Sequence, residues 1–210
     1  MKKHLATVLA ILFGIVLITG CGQSKEPEAE EPSETLYPIT INDVAIRVGE
    51  TTVQALLDQG LNITVSEMGS GGVSDITTYE VDPETDLEPN SYYSGASIWI
   101  SDTIFAHISM ATDEETVKLG EATIARLEFS MVSATPEERS VVTFNGVPVG
   151  EISEEKAHEM FPDFTAFDNG MLQYGLEYSY SLTFSPEDHM LYNFYVEKEY
   201  DVDWNGTDTE

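Results

Sequence analysis

Cysteine is all but absent. Cys21 is the only one in 210 residues, and it precedes every stretch that reads as folded. The folded part therefore has no disulfide, no thiol nucleophile and no thiolate metal site. Basic residues are also scarce: 9 Lys and Arg stand against 38 Asp and Glu, a net charge of −29. That imbalance excludes nucleic acid and anionic lipid headgroups as targets, since both demand a basic face. It suits cationic partners instead, whether metal ions, basic peptides or basic proteins. The histidines are scattered, with no ligand spacing such as H-x-x-x-H. Gly69-Ser70-Gly71-Gly72 lacks the Gly-Lys-Ser/Thr of a phosphate loop and reads as a turn. No serine has the G-x-S-x-G spacing of a nucleophile elbow, and Glu159 and Asp163 make no readable acid–base pair. No residue is nominated as catalytic. Long apolar runs are missing too. A bilayer takes about 20 residues to cross, and the longest run, residues 5–18, has fourteen with Thr7 as its one polar side chain.

What is present begins at that run. It follows a short basic start, Met1-Lys2-Lys3-His4, and gives way to small residues before Cys21. Its length suits the apolar part of an export signal. Ile18-Thr19-Gly20-Cys21 resembles the lipobox of bacterial lipoprotein signal peptides. The resemblance covers residues 1–24 and implies nothing about the remaining fold. It implies a signal peptide over 1–20, cut between Gly20 and Cys21, and a diacylglycerol on the Cys21 thiol. The new amine would often be acylated as well, palmitate being a typical chain. The protein would then sit on the extracytoplasmic face of the bacterial membrane, held by lipid. The chemistry agrees. A thiolate is the natural nucleophile for alkylation, and two or three acyl chains anchor stably where one is marginal. Losing Lys2 and Lys3 leaves 7 basic against 38 acidic residues, a net charge of −31. Residues 22–35, GQSKEPEAEEPSET, hold five glutamates and no large apolar side chain. The segment 21–36 therefore reads as a lipidated cysteine followed by a disordered acidic tether. Its root-mean-square span is roughly 20 Å.

The remainder reads as α+β: a mainly antiparallel sheet with two short helices. The lobes run over 37–135 and 139–205, with a boundary near Thr135-Pro136-Glu137-Glu138 and a frayed tail at 206–210. Ile39-Thr40-Ile41-Asn42-Asp43-Val44 and Val142-Thr143-Phe144-Asn145-Gly146-Val147 share one pattern. Each is an alternating strand ending in an Asn-Asp or Asn-Gly turn, a strong hairpin signal. Each is followed by Gly-Glu and a short helix. The first helix has capping-box spacing at Thr51 and Gln54 and a stop at Gly60. The second has Ser153 as cap and Glu154 and Glu155 at its positive start. This suggests a diverged hairpin–helix repeat. Further strands are predicted over 61–65, 98–100, 104–110 and 123–131, with a long loop from Met68 to about Gly95. Arg126 and Glu128 lie opposite the apolar face of 123–131. From Tyr174 to Phe184 every even position is apolar, and the return strand continues with Met190, Tyr192, Phe194 and Val196 inward. Period two over that length predicts an antiparallel sheet with one face buried.

Candidate sites are sparse. Asp201-Val202-Asp203-Trp204-Asn205-Gly206 matches the first half of a calcium loop, with Asp201, Asp203 and Asn205 as oxygen ligands. The alternation puts those aspartates on a strand, so a strand end is the simpler reading. Glu197, Glu199, Asp201 and Asp203 line one strand face, fit for a cation, a basic partner or a charged sheet edge. The 82–90 loop carries Asp82, Glu84 and Asp86 as a weak cation site, or as solvated loop. Tyr37, Tyr92 and Tyr93 fall in predicted loops, where exposed tyrosines suit contact surfaces. The expected function is a membrane-anchored, non-catalytic binding module for a protein, peptide or glycan, with Tyr92, Tyr93, Glu197 and Glu199 on its surface. No cofactor is expected beyond the lipid. The alternatives are a calcium-dependent module and an envelope hydrolase with an unrecognised site.

Overall fold

The structure is a computed structural model that describes residues 36–72, 75–167, 171–175 and 177–200. The signal, Cys21, the tether to residue 35, and Asp201, Asp203 and Asn205 lie outside the described residues, as does the 206–210 tail.

The chain enters through β1 (Ile39–Ile41) and turns at Asn42-Asp43 into β2 (Val44–Ile46). Both turn residues take left-handed backbone, φ 47° and 69°, as the tight hairpin turn requires. Helix α1 (Val53–Asp58) follows, capped by Thr52, whose Oγ1 accepts the Ala55 N–H. The cap is thus one residue later than the Thr51 spacing suggested. Thr51 Oγ1 instead accepts the Arg47 N–H at 2.8 Å and closes the preceding turn. Then come β3 (Asn62–Met68), β4 (Ile76–Glu80), β5 (Asp86–Leu87) and β6 (Tyr92–Trp99). The long loop expected between Met68 and Gly95 is therefore broken up by strands β4, β5 and the start of β6. Its β4 is exposed at every residue, so it lacks the in–out alternation that betrays a strand. Tyr92 and Tyr93 open β6 instead of lying in a loop. The first half ends with β7 (Phe105–Ala111), β8 (Val117–Lys118) and β9 (Thr123–Ser130).

Helix α2 (Pro136–Arg139) leads into β10 (Val142–Phe144), the Asn145-Gly146 turn and β11 (Val147–Pro148). Helix α3 (Glu154–Met160) is capped by Ser153, which accepts the Lys156 N–H. The chain finishes with β12 (Thr165–Phe167), β13 (Met171–Gly175), β14 (Tyr178–Phe184) and β15 (Leu191–Lys198). The single strand expected from Tyr174 to Phe184 is a hairpin, with Tyr174 opposite Tyr180 and Gly175 opposite Ser179. An even residue pairs with an even one, so the alternation passes through the turn unbroken and hides it. The return strand also differs. A bulge at Thr183/Phe184 leaves Tyr192 unpaired on β15 and shifts the inward phase. Leu191 is buried, not Met190 or Tyr192.

The fold is α+β and mainly antiparallel sheet. Nine strands form one sheet in the order β12-β13-β14-β15-β9-β7-β6-β3-β4, and β11-β10-β1-β2 form a second. β5 and β8 make a small ribbon. Strands from both predicted lobes enter both larger sheets, and the described residues belong to one compact unit. The four-stranded sheet, α1 and α3 pack on one face of the large sheet through a single core. Phe144 of β10 stacks on Phe194 of β15 at 5.0 Å, and Phe194 stacks on Phe129 of β9 at 4.6 Å.

Parts of the two halves of the chain correspond in pairing and contacts. Thr40 faces Thr143 at the centre of the β1–β10 pair, their hydroxyls 2.8 Å apart. Reading outward from the β9–β15 pair gives β7-β6-β3 on one side and β14-β13-β12 on the other. Both final hairpins carry a bulge, at Ser109/Met110 and at Thr183/Phe184. Each helix is tied to its final strand by the same contacts. Val53 N–H donates to Ala122 O and Ile124 N–H to Thr51 O, while Glu154 N–H donates to His189 O and Leu191 N–H to Ile152 O.

Candidate binding face

The face of the large sheet away from the core carries three transverse rows, set by strand register. The middle row runs Thr64, Ser97, His107, Glu128, Tyr195, Ser181, Gln173, one residue per strand from β3 to β13. One flanking row brings Ser109, Arg126, Glu197 and Ser179 side by side. The other holds Trp99, Phe105, Ser130, Asn193 and Thr183. Alternation gives these residues to one face, because their sequence neighbours are the buried Ile98, Ala106, Ile108, Leu127, Phe129, Phe194 and Val196.

Arg126 is the centre of the face. Its guanidinium lies 2.6 Å from Glu128 Oε2 and 3.5 Å from Glu197 Oε2, and 4.8 Å from the ring centre of Tyr195. Burial opposes its charge, but Glu128 and Glu197 outweigh that and raise its pKa. Tyr92 Oη donates to the other oxygen of Glu197 at 2.7 Å. Together Tyr92, His107, Ser109, Arg126, Glu128 and Glu197 line a cavity of about 420 Å³. The His107 Nδ1 is 3.1 Å from Ser97 Oγ. Its ring stands edge-on to Phe105, which packs against Trp99. Trp99 donates its indole N–H to Thr64 Oγ1 at 2.8 Å and stays 42 % exposed. The cluster thus joins one cation, two carboxylates and an aromatic strip.

Burial pushes the Tyr92 phenol far above the ordinary tyrosine value, with Glu197 adding to the shift and a hydrogen bond with Ser109 opposing it. The neutral phenol is the folded form. Its contribution to stability is full below about pH 10, the unfolded value, and is lost as pH rises past it, because the unfolded chain ionises first. Melts between pH 8 and 11 should show that decline, and Tyr92→Phe should reduce it. Equal declines in both proteins would show that Tyr92 is not held neutral.

Of the residues picked from sequence, Tyr92 and Glu197 meet on this face. Tyr93 does not join them. It packs against the core, and its Oη accepts the Glu88 N–H at 2.7 Å. Glu199 lies past the end of β15 and accepts the Ser179 hydroxyl. Tyr37, expected in an exposed loop, packs edge-on to Phe161 at 4.9 Å and belongs with the core. Asp82 Oδ1 accepts the Glu84 N–H in a local turn, and Asp86 pairs with Lys118 at 2.7 Å. Among the described residues no group of three or more His, Cys, Asp or Glu side chains is placed to hold a metal ion. Sequence reasoning passed over Arg126, Glu128, His107 and Tyr195. The first two were visible as the polar face of β9, but their partners come from other strands. No family model, no curated protein and no solved structure matches this chain.

Proposed function

We propose that this chain is a lipoprotein, anchored through Cys21 on the extracytoplasmic face of the membrane. Its folded part is a non-catalytic binding module. The observation that carries the reading is the polar and aromatic face of the large sheet, with Arg126 clamped between Glu128 and Glu197 and the Trp99–Phe105 strip beside it. Enrichment in aromatic and arginine side chains marks contact surfaces. The charge selects the partner. Arg47, Lys118 and Lys156 are already paired with Glu50, Asp86 and Glu151, Arg126 with two carboxylates, and Arg139 donates to backbone carbonyls, so the excess of carboxylates favours a cationic partner. A basic protein or peptide is the fitting ligand.

The matched halves support descent of the folded part from a duplicated hairpin–helix–sheet unit. On that reading residues 124 and 191 are equivalent, as are 126 and 193. Arg126 then corresponds to Asn193, and Glu197 to Ser130. The charge on the binding face belongs to one side of the pseudo-twofold only, which is where a duplicated scaffold has specialised.

Photo-cross-linking in intact cells tests the binding face. A cross-linking residue at position 99 or 195 should give a discrete protein adduct, and one at Glu155 on α3 should not. Equal adduct yields from the three positions would overturn the assignment.

A further inference from the structure

We propose that β4 takes up an extended basic peptide segment as a tenth strand of the nine-stranded sheet. This rests on the reading of the chain as a binding module and specifies how its partner is held. β4 is the terminal strand of the sheet. Gly69 N–H donates to Asp75 O and Val81 N–H to Ile63 O. In an antiparallel ladder those two bonds fix the alternation between them. Residues 75, 77, 79 and 81 turn their backbone groups toward β3, so Ile76, Thr78 and Glu80 turn theirs outward. Three N–H and three C=O groups are therefore presented in strand geometry, with no further strand beyond them among the described residues.

Natural sheets guard such edges with prolines, lysines, bulges or very short strands. β12, at the other end, is three residues long. β4 has five residues, Ile-Thr-Thr-Tyr-Glu, regular pairing to β3 over its full length, and neither proline nor lysine. Its side chains offer contact on both faces: Ile76 is 52 % exposed with Met68 beside it, and Tyr79 is 49 % exposed. Glu67, Asp75 and Glu80 surround it, and among the described residues none of the three forms an ion pair with a lysine or arginine. That charge makes the edge selective. A second copy of β4 would bring like charges together, whereas a lysine- or arginine-bearing strand would neutralise them. Strand addition takes affinity from main-chain hydrogen bonds and selectivity from alternate side chains, and here the selecting side chains are acidic.

The test uses the full chain in detergent and a fluorescent eight-residue peptide of alternating threonine and lysine. Controls are the same peptide N-methylated at alternate residues, which keeps the charge but cannot pair, and a threonine–glutamate peptide. The lysine peptide should bind at least tenfold more tightly than either control. It should also slow amide exchange at Ile76, Thr78 and Glu80. Thr78→Pro removes an outward N–H that β3 does not use and should weaken binding at least tenfold. Glu80→Lys, which leaves the backbone intact, should weaken it in the same direction and so guards against misfolding of the proline variant. Equal binding of the N-methylated peptide would overturn the proposal in favour of charge alone. So would equal binding of the glutamate peptide, or a dimer of the chain that Thr78→Pro dissolves, which would make a second copy the occupant. If peptide binding fails while the adducts at 99 and 195 persist, the edge proposal falls and the binding face stands. Loss of those adducts with peptide binding kept would mean the reverse.

Discussion

Phe144→Ala should lower the stability of the fold by about 3–5 kcal/mol, the range for deleting a buried phenylalanine. Phe144 is fully buried at the centre of the aromatic cluster. It stacks on Phe194 at 5.0 Å and lies 5.0 Å from Phe161, with Tyr37 and Tyr180 at its edges. These contacts join the four-stranded sheet, the end of α3 and the large sheet. Alanine would lose the buried area and leave a cavity among the packed rings. In a unit of this size the loss corresponds to a fall of roughly 10 °C in Tm. Urea unfolding reads it directly, with Val132→Ala as the control, because Val132 is 68 % exposed and should change stability by less than about 0.5 kcal/mol. A loss below about 1 kcal/mol for Phe144→Ala would mean that the layers are not held together by this stack.

The features legible in the sequence were those written in local order. The two hairpins announced themselves through Asn42-Asp43 and Asn145-Gly146, because few residues accept left-handed backbone at consecutive positions. Helices α1 and α3 were visible through their caps and apolar stripes, with an error of one residue at Thr52 where two threonines stand side by side, whereas the one-turn α2 stands where a lobe boundary was expected. Alternation marked β9 and β14 because one face of each is buried. It failed at β4, which is exposed on both faces, and at the β13–β14 turn, where register preserves parity. It failed again at Tyr192, where a bulge moves the inward phase by one residue. A bulge is fixed by a partner strand far away in sequence, so no local pattern contains it.

The binding face was legible in halves. The polar positions of β9 and of β15 could each be read as one face, but Arg126 and Glu197 are 71 residues apart. Nothing local says that these two strands are neighbours. What joins them is the pairing of the last strands of the two halves, which centres on Glu128 opposite Tyr195. The similarity of the two hairpin–helix segments was the one clue to that pairing. Had it been extended to the final strands, it would have put β9 beside β15 and brought the charges together.

Cys21→Ser should abolish incorporation of labelled palmitate and leave the protein as the uncut precursor. The reasoning is chemical. Alkylation at this position needs a thiolate, and a serine hydroxyl does not ionise near neutral pH, so the acceptor disappears while size and polarity barely change. The effect on location should be as large. Each buried methylene contributes about 0.8 kcal/mol to membrane attachment, and a single chain binds only marginally. The lipidated form carries two or three. The precursor keeps only the run over 5–18, fourteen residues, short of the roughly 20 that span a bilayer. High-salt and carbonate washes should therefore extract the serine form and leave the native protein in the membrane fraction. Mild alkali should release the ester-linked acids from the native protein and leave the amide-linked acid and the glyceryl thioether in place, as attachment through the Cys21 sulfur requires. A native chain that takes up no labelled lipid, or a serine variant that resists extraction as firmly, would overturn the lipid anchor. Membrane attachment would fall with it, since a chain with 38 acidic against 9 basic residues is repelled by an anionic surface.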